Sequence, residues 1–275
     1  MKYDITLVAD LGAELLEGPV FDKTNKLLYF VSIFNYRVYR FDPSTKELVY
    51  IQLASPTSCV FLNTGYGIVA ASTLGFYSLD FDSLTAEKVF DIQIPPNTRF
   101  NDGILDAKGR FLIGTMGYPE IIDNIGAVLS YSNGNVKELI KDTTISNGIV
   151  FTVDSKIMYF IDTPTRTIAK YTYNLESGSC KYINDLVRFE GKGVPDGMDM
   201  DEEGNLWVAE WGGYCVSVWN VITGKNMGKI EIPSENVSSV CFDDHNNLYV
   251  TTARSYEGEE KIGGAIFYVK IRRDV

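Results

Sequence analysis

The sequence predicts an all-β protein, a six-bladed β-propeller with four-stranded blades around a central channel, and three observations carry that prediction. A short unit that opens on a polar residue recurs: Glu17-Gly-Pro-Val-Phe-Asp22, Asn101-Asp-Gly-Ile-Leu-Asp106, Asn147-Gly-Ile-Val-Phe-Thr-Val-Asp154, Asp196-Gly-Met-Asp-Met-Asp201 and Ser238-Ser-Val-Cys-Phe-Asp243. Each unit turns into a second apolar run, as in Leu27-Leu-Tyr-Phe-Val, Ile157-Met-Tyr-Phe-Ile and Asn247-Leu-Tyr-Val-Thr. The closing aspartates are 42 to 48 residues apart except for a first gap of 84, so one further repeat lies between Asp22 and Asp106. Ser58-Cys-Val-Phe-Leu-Asn63, followed by Tyr66-Gly-Ile-Val-Ala-Ala, fills that slot, with asparagine as its closing residue.

The remaining elements fall into place around those units. Arg37-Val-Tyr-Arg-Phe-Asp-Pro, Ile168-Ala-Lys-Tyr-Thr-Tyr and Cys215-Val-Ser-Val-Trp-Asn alternate at period two, as half-buried strands do. Asp42-Pro-Ser-Thr, Glu176-Ser-Gly and Ile222-Thr-Gly supply turns between strands. Tyr3-Asp-Ile-Thr-Leu-Val can add a strand beside Gly264-Ala-Ile-Phe-Tyr-Val, which closes the ring and covers two open edges. The expectation is one domain over residues 1–275 with no internal boundary.

Composition narrows the function classes. A hydrophobic content of 45 %, with 17 Tyr and 15 Phe, is ample for a core. The net charge of −11 offers no basic footprint for nucleic acid and suits neutral substrates and divalent cations. No apolar run approaches the about 20 residues of a membrane helix, and the N-terminus shows no secretory pattern. Cys59, Cys180, Cys215 and Cys241 form no C-x-x-C pair, so thiols in a reducing cytoplasm are expected. The expected state is a cytoplasmic monomer or weak oligomer with no membrane or nucleic-acid partner.

In a propeller the first strand of each blade runs along the channel. The opening residues Glu17, Ser58, Asn101, Asn147, Asp196 and Ser238 therefore ring one mouth, and the closing aspartates serve turns at the other. Two carboxylates and two side-chain amides at one axis suit a hard divalent cation, which relieves the repulsion between the carboxylates. Each dipeptide alone reads as an ordinary turn; recurrence at one point of four repeats favours a shared site. There is no G-x-S-x-G, H-E-x-x-H or P-loop, and the single histidine, His245, sits in a far-side turn. Chemistry would run on carboxylates and a metal.

Glu17-Gly-Pro, Arg99-Phe-Asn-Asp-Gly, Gly109-Arg-Phe-Leu-Ile-Gly-Thr-Met, Ser146-Asn-Gly-Ile, Pro195-Asp-Gly-Met-Asp-Met-Asp and Gly204-Asn-Leu-Trp-Val-Ala resemble the gluconolactonase, regucalcin (senescence marker protein) and luciferin-regenerating-enzyme-like family. The resemblance implies a six-bladed propeller that hydrolyses sugar-acid lactones. It implies one divalent cation (Ca²⁺, Zn²⁺, Mn²⁺ or Fe²⁺) on Glu17, Asn147 and Asp196, with Asp196 doubling as the base. It also implies that Arg99 and Asn101 hold substrate hydroxyls. The family's further glutamate falls at Pro119 in ungapped register, so Glu120 takes its place in the reading. The partner implied is a small-molecule sugar lactone such as glucono- or xylono-lactone. Loops at Met116–Asp123, Asp162-Thr-Pro, Glu210-Trp-Gly-Gly and Arg254-Ser-Tyr are expected over the mouth, with Tyr118 or Trp211 able to stack on a sugar face. A metal-dependent esterase or phosphotriesterase, and a non-enzymatic calcium-binding propeller, are the alternatives.

Overall fold

The computed structural model describes residues 2–63, 65–255 and 262–272. Among these, 24 strands run in sequence, beginning with β1 (Lys2–Asp10). Four consecutive quartets form four-stranded antiparallel sheets. They are β2 (Leu16–Asp22), β3 (Leu27–Ser32), β4 (Arg37–Phe41) and β5 (Leu48–Gln52); then β6 (Thr57–Asn63), β7 (Gly67–Ser72), β8 (Gly75–Asp80) and β9 (Thr85–Phe90). The third and fourth are β10 (Thr98–Leu105), β11 (Phe111–Gly117), β12 (Gly126–Ser132) and β13 (Asn135–Thr143); and β14 (Ser146–Phe151), β15 (Ile157–Asp162), β16 (Thr167–Asn174) and β17 (Ser179–Arg188).

The other strands form one eight-stranded sheet with a narrow waist. On one side lie β18 (Val194–Met200), β19 (Leu206–Trp211), β20 (Cys215–Trp219) and β21 (Asn226–Glu231). On the other are β22 (Asn236–Phe242), β23 (Leu248–Ala253) and β24 (Ala265–Arg272), with β1 at its edge. A single residue pair, Trp211 opposite Asn236, joins the halves. The expected closure is present: β1 pairs antiparallel with β24, from Lys2 opposite Arg272 to Asp10 opposite Ala265. The fold is an all-β propeller-like arrangement.

The first strands take the central place. β2, β6, β10, β14, β18 and β22 each neighbour the next, and β22 neighbours β2. Residues of all six line a channel of about 320 Å³. Burial then falls off outward: β11 is buried throughout, whereas β9 and β21 are mostly exposed. The space between sheets is filled by side chains from both, as where Phe76 meets Phe61, Phe100 and Phe111 with ring centroids 5.9, 5.6 and 5.1 Å away.

The closing aspartates do serve turns at the far end. Asp22 accepts from the backbone N–H of Thr24 and Asn25, Asp201 from Glu203 and Asn205, and Asp243 from His245 and Asn247. Asp106 does the same for Lys108 and Arg110, and its other oxygen takes the Arg110 guanidinium and the Tyr173 hydroxyl. The side chain of Asn63 lies outside the described residues. The four cysteines are free thiols, three of them buried. No helix among the described residues is long and apolar enough to cross a membrane.

Candidate functional site

Every first strand carries one extra residue at the same height. Pairing across β2 and β3 jumps from Glu17–Val31 to Val20–Tyr29, so three steps on one strand match two on the other. Equivalent bulges fall at Ser58, at Asn101-Asp102, at Asn147-Gly148, at Asp196-Gly197 and at Ser238. A bulge breaks the in-out alternation and re-aims a side chain, which is how the opening residues leave the sheet faces. The glycines follow from crowding. A methyl group on Gly148 would lie 2.8 Å from the Asp196 carbonyl oxygen, and one on Gly197 only 2.1 Å from Ser239 Oγ. Gly197→Ala should therefore push β18 off β22, a loss of about 1–3 kcal/mol by overpacking. A urea midpoint equal to that of the parent would show that the two strands do not pack so closely.

The opening residues also bind the ring together. Ser58 Oγ donates to the Phe100 carbonyl at 2.5 Å, Asn101 Nδ2 to that of Ser146 at 3.0 Å, and Ser238 Oγ to that of Leu16 at 2.6 Å. Asn147 reaches Pro195 through a relay, donating to Thr163 Oγ1 at 2.8 Å, which donates to the Pro195 carbonyl at 2.9 Å. In each case the acceptor immediately precedes the next strand's opening residue. Glu17 and Asp196 occupy the two slots whose carboxylates have no proton to donate when ionised. Glu17 Oε2 accepts from the Gly18 N–H at 2.9 Å, and Asp196 Oδ1 is buried without a hydrogen-bond partner.

These side chains share a cavity of about 280 Å³ at the channel mouth, lined by Glu17, Arg99, Asn101, Asn147, Thr163 and Asp196 together with apolar residues. Arg99 is buried, with its guanidinium donating at 2.8 Å to the Phe100 carbonyl and to Asn101 Oδ1 and lying 5.5 Å from the Phe34 ring centroid. Asn101 Nδ2 donates at 3.0 Å to Asn147 Oδ1 as well. Desolvation, then the charge of Asp102, pushes the Glu17 carboxyl up to about 8. Desolvation, followed by Glu17 and Asp102, holds Asp196 well above the usual carboxylate range. Desolvation also lowers Arg99 to about 10, against the pull of Glu17. Buried carboxyls crowded in this way, one with an orphaned oxygen, are costly unless a proton or a cation joins them. Two carboxylates and an amide oxygen are a hard-cation donor set. Among the described residues no cluster of three His, Cys, Asp or Glu side chains offers a rival.

Five of the six anticipated site residues thus share the cavity: Glu17, Arg99, Asn101, Asn147 and Asp196. Glu120 does not; it is exposed, and its neighbour Ile121 lines the cavity instead. Trp211 lines the cavity too, whereas Tyr118 stacks on Phe34 at 6.2 Å. Arg254 donates to the Gly12 carbonyl, away from the cavity, and Tyr256 lies outside the described residues. Thr163, in the Asp162-Thr-Pro loop expected over the mouth, lines the cavity and carries the relay from Asn147, a role that its context does not signal. One residue escaped the sequence reading altogether. Asp102 faces the channel beneath the cavity, its carboxyl raised to about 6 by desolvation. The Asn-Asp-Gly triplet held that signal, because a bulge lets two successive polar side chains reach the axis.

Comparison with known proteins agrees with the resemblance read from the sequence. Residues 15–254 match the sequence profile of the SMP-30/Gluconolactonase/LRE-like region. The chain is 34 % identical to the pentonolactonase XacC of Haloferax volcanii, over 97 % of this chain and 94 % of that protein. It is 32 % identical to human regucalcin, over 86 % of this chain and 83 % of the relative. A solved luciferin-regenerating enzyme superposes with a TM-score of 0.90 at 26 % identity, covering 98 % of this chain and 95 % of the other. With the repeat, the bulged first strands and the profile in agreement over most of its length, the chain belongs to the SMP-30/gluconolactonase/LRE-like family.

Proposed function

We propose that the protein hydrolyses the ester bond of a small-molecule sugar lactone, with a divalent cation held by Glu17, Asn147 and Asp196. The observation that carries this reading is the buried, unpartnered Oδ1 of Asp196 in a cavity shared with Glu17, Asn147 and Arg99. A cation held there would supply Lewis acidity for the lactone carbonyl. The Asp196 carboxylate takes a proton from the attacking water as the water oxygen bonds to the carbonyl carbon. The ring carbon–oxygen bond then breaks, the proton passes to the leaving ring oxygen, and the product is the open hydroxy acid. Arg99 orients ring hydroxyls with the guanidinium N–H groups not spent on Phe100 and Asn101, and Asn101 sets the angle of Asn147 by donating from Nδ2 to the Asn147 Oδ1. Glu120 has no part in this arrangement.

The architecture that fits the site is one six-bladed propeller spanning the chain, the eight-stranded sheet being two blades joined at the Trp211–Asn236 pair. The closed order of first-strand neighbours supports that count.

Glucono- and xylono-lactone, offered to chelated protein and then with Ca²⁺, Mn²⁺, Fe²⁺ or Zn²⁺ restored, test the reading directly. The expected result is a rate at background after chelation and turnover recovered by at least one metal. Background rates under every condition would overturn it, and faster cleavage of an aryl ester or organophosphate than of either lactone would replace it with an esterase.

A further inference from the structure

Two holds act on the Arg99 guanidinium. The first is polar: among the described residues both of its hydrogen bonds leave from Nη1, at 2.8 Å, to the Phe100 carbonyl and to Asn101 Oδ1. Bonds from one nitrogen leave the rest of the group able to rock about it, and they leave Nε and Nη2 available in the cavity that Arg99 lines. The second hold is aromatic. The Phe34 ring centroid lies 5.5 Å from Arg99 Cζ, and Phe34 is itself stacked on Tyr118, with centroids 6.2 Å apart and planes within 17°.

Phe34 is firmly mounted. It sits in the turn between β3 and β4, which is tied to the segment before β2, to β5 and to β6. The Ile33 N–H donates to the Leu15 carbonyl at 3.1 Å, and the Thr57 N–H to the Ile33 carbonyl at 3.4 Å. Gln52 Nε2 donates to the carbonyls of Asn35 and Tyr36 at 2.9 and 3.2 Å. The Phe34 side chain packs on the core between the first two sheets. Tyr118 follows β11, and its N–H donates to the Asn97 carbonyl at 2.8 Å, just ahead of β10. The aromatic contact therefore joins the first and third sheets, which β6–β9 separates in the ring. Neither ring lines the cavity.

We infer that Phe34, backed by Tyr118, is a positioning residue of the site: its ring fixes the Arg99 guanidinium in the orientation in which Nε and Nη2 meet the hydroxyls of the bound lactone. A cation set over an aromatic face is attracted by it, and more strongly once water is excluded. Donors held in place in advance also bind a hydroxyl with less loss of side-chain freedom. The inference rests on the lactonase reading for its ligand and adds to that reading a residue from outside the cavity.

Phe34→Leu removes the ring face and keeps an apolar side chain, whereas Phe34→Tyr keeps the face. With metal-restored protein and glucono-δ-lactone, Phe34→Leu should raise KM about tenfold with little change in kcat, and Phe34→Tyr should match the parent. A second readout needs no turnover. The Arg99 Nε–H resonance, identified by its loss in Arg99→Lys, should exchange with solvent about tenfold faster in Phe34→Leu than in the parent or Phe34→Tyr. Equal exchange in the parent and Phe34→Leu overturns the hold on Arg99. Equal defects in the Leu and Tyr variants assign the effect to packing and overturn it as well. Faster exchange with an unchanged KM, or with a fall in kcat alone, overturns its bearing on the ligand. A parent protein that hydrolyses no lactone overturns the lactonase reading and the lactone's part in this inference, while the exchange rates still decide whether Phe34 holds Arg99.

Discussion

Asp196→Asn should abolish turnover while making the chelated protein more stable. The loss follows from the proposed role of the carboxylate: a positioned general base is worth about 10²–10⁴-fold in rate, and the amide also removes a charged donor from the cation. The gain follows from the ring. Asp196 fills one of two first-strand slots with no bond to the carbonyl ahead of the next opening residue, whereas Ser58, Asn101 and Ser238 each make one. An asparagine there brings a donor that can reach the carbonyl of Val237, as Asn101 reaches Ser146. It also removes a buried carboxyl from beside Glu17 and Asp102. One such hydrogen bond contributes about 0.5–1.5 kcal/mol, and about 2–4 °C in Tm accompanies each kcal/mol in a chain of this size. Thermal unfolding in chelator should place Asp196→Asn above both the parent and Asp196→Ala. An Asn variant that melts below the parent would refute the equivalence of the slots, and one that retains turnover would remove Asp196 from the chemistry.

Phe76→Ala should be the most damaging single truncation in the sheets. Phe76 is fully buried, and its ring lies within 6.4 Å of those of Phe61, Phe90, Phe100, Phe111 and Tyr131. These rings belong to two neighbouring sheets, so the cavity left by truncation opens at their junction and neither sheet can collapse into it alone. Phe→Ala changes of this kind cost about 3–5 kcal/mol, a large part of the about 5–15 kcal/mol that holds most domains folded. Leu84→Ala, at a position 52 % exposed in a tight turn, is the control and should stay within about 0.5 kcal/mol. Denaturant unfolding with an unchanged slope reads both. A Phe76→Ala midpoint close to that of Leu84→Ala would mean that the sheets are not joined through this cluster.

Recurrence made the fold legible. The alternation, the turn aspartates and the closing strand are local chemistry repeated along the chain, and each reappears in the structure where the sequence puts it. The opening residues were legible as a set, but their division of labour was not. Whether a side chain bridges to the next strand depends on whether it carries a proton to give, and Ser58 and Ser238 spend theirs on carbonyls without lining the cavity. The one-residue bulges that present Asn101 and Asp102 on different sides of the mouth have no signal beyond the X-Gly pairs. Glu120 shows the limit most clearly. Its loop follows no period, and a displacement of one residue there decides whether a carboxylate or the apolar side chain of Ile121 lines the cavity.

The bridges that the opening residues make between first strands all point the same way, each from one strand to its successor. They run unbroken from β6 through β10 and β14 to β18, and again from β22 to β2. At the level of the opening residues the ring is thus two arcs, one of four strands and one of two, which meet at two seams, while elsewhere Asp199 joins β18 to β22 by accepting from the Phe242 N–H at 2.9 Å. Glu17 borders one seam and Asp196 the other. A single ion shared by those two residues would act as a clasp, fastening both seams at once and coupling the integrity of the barrel to the occupancy of its mouth.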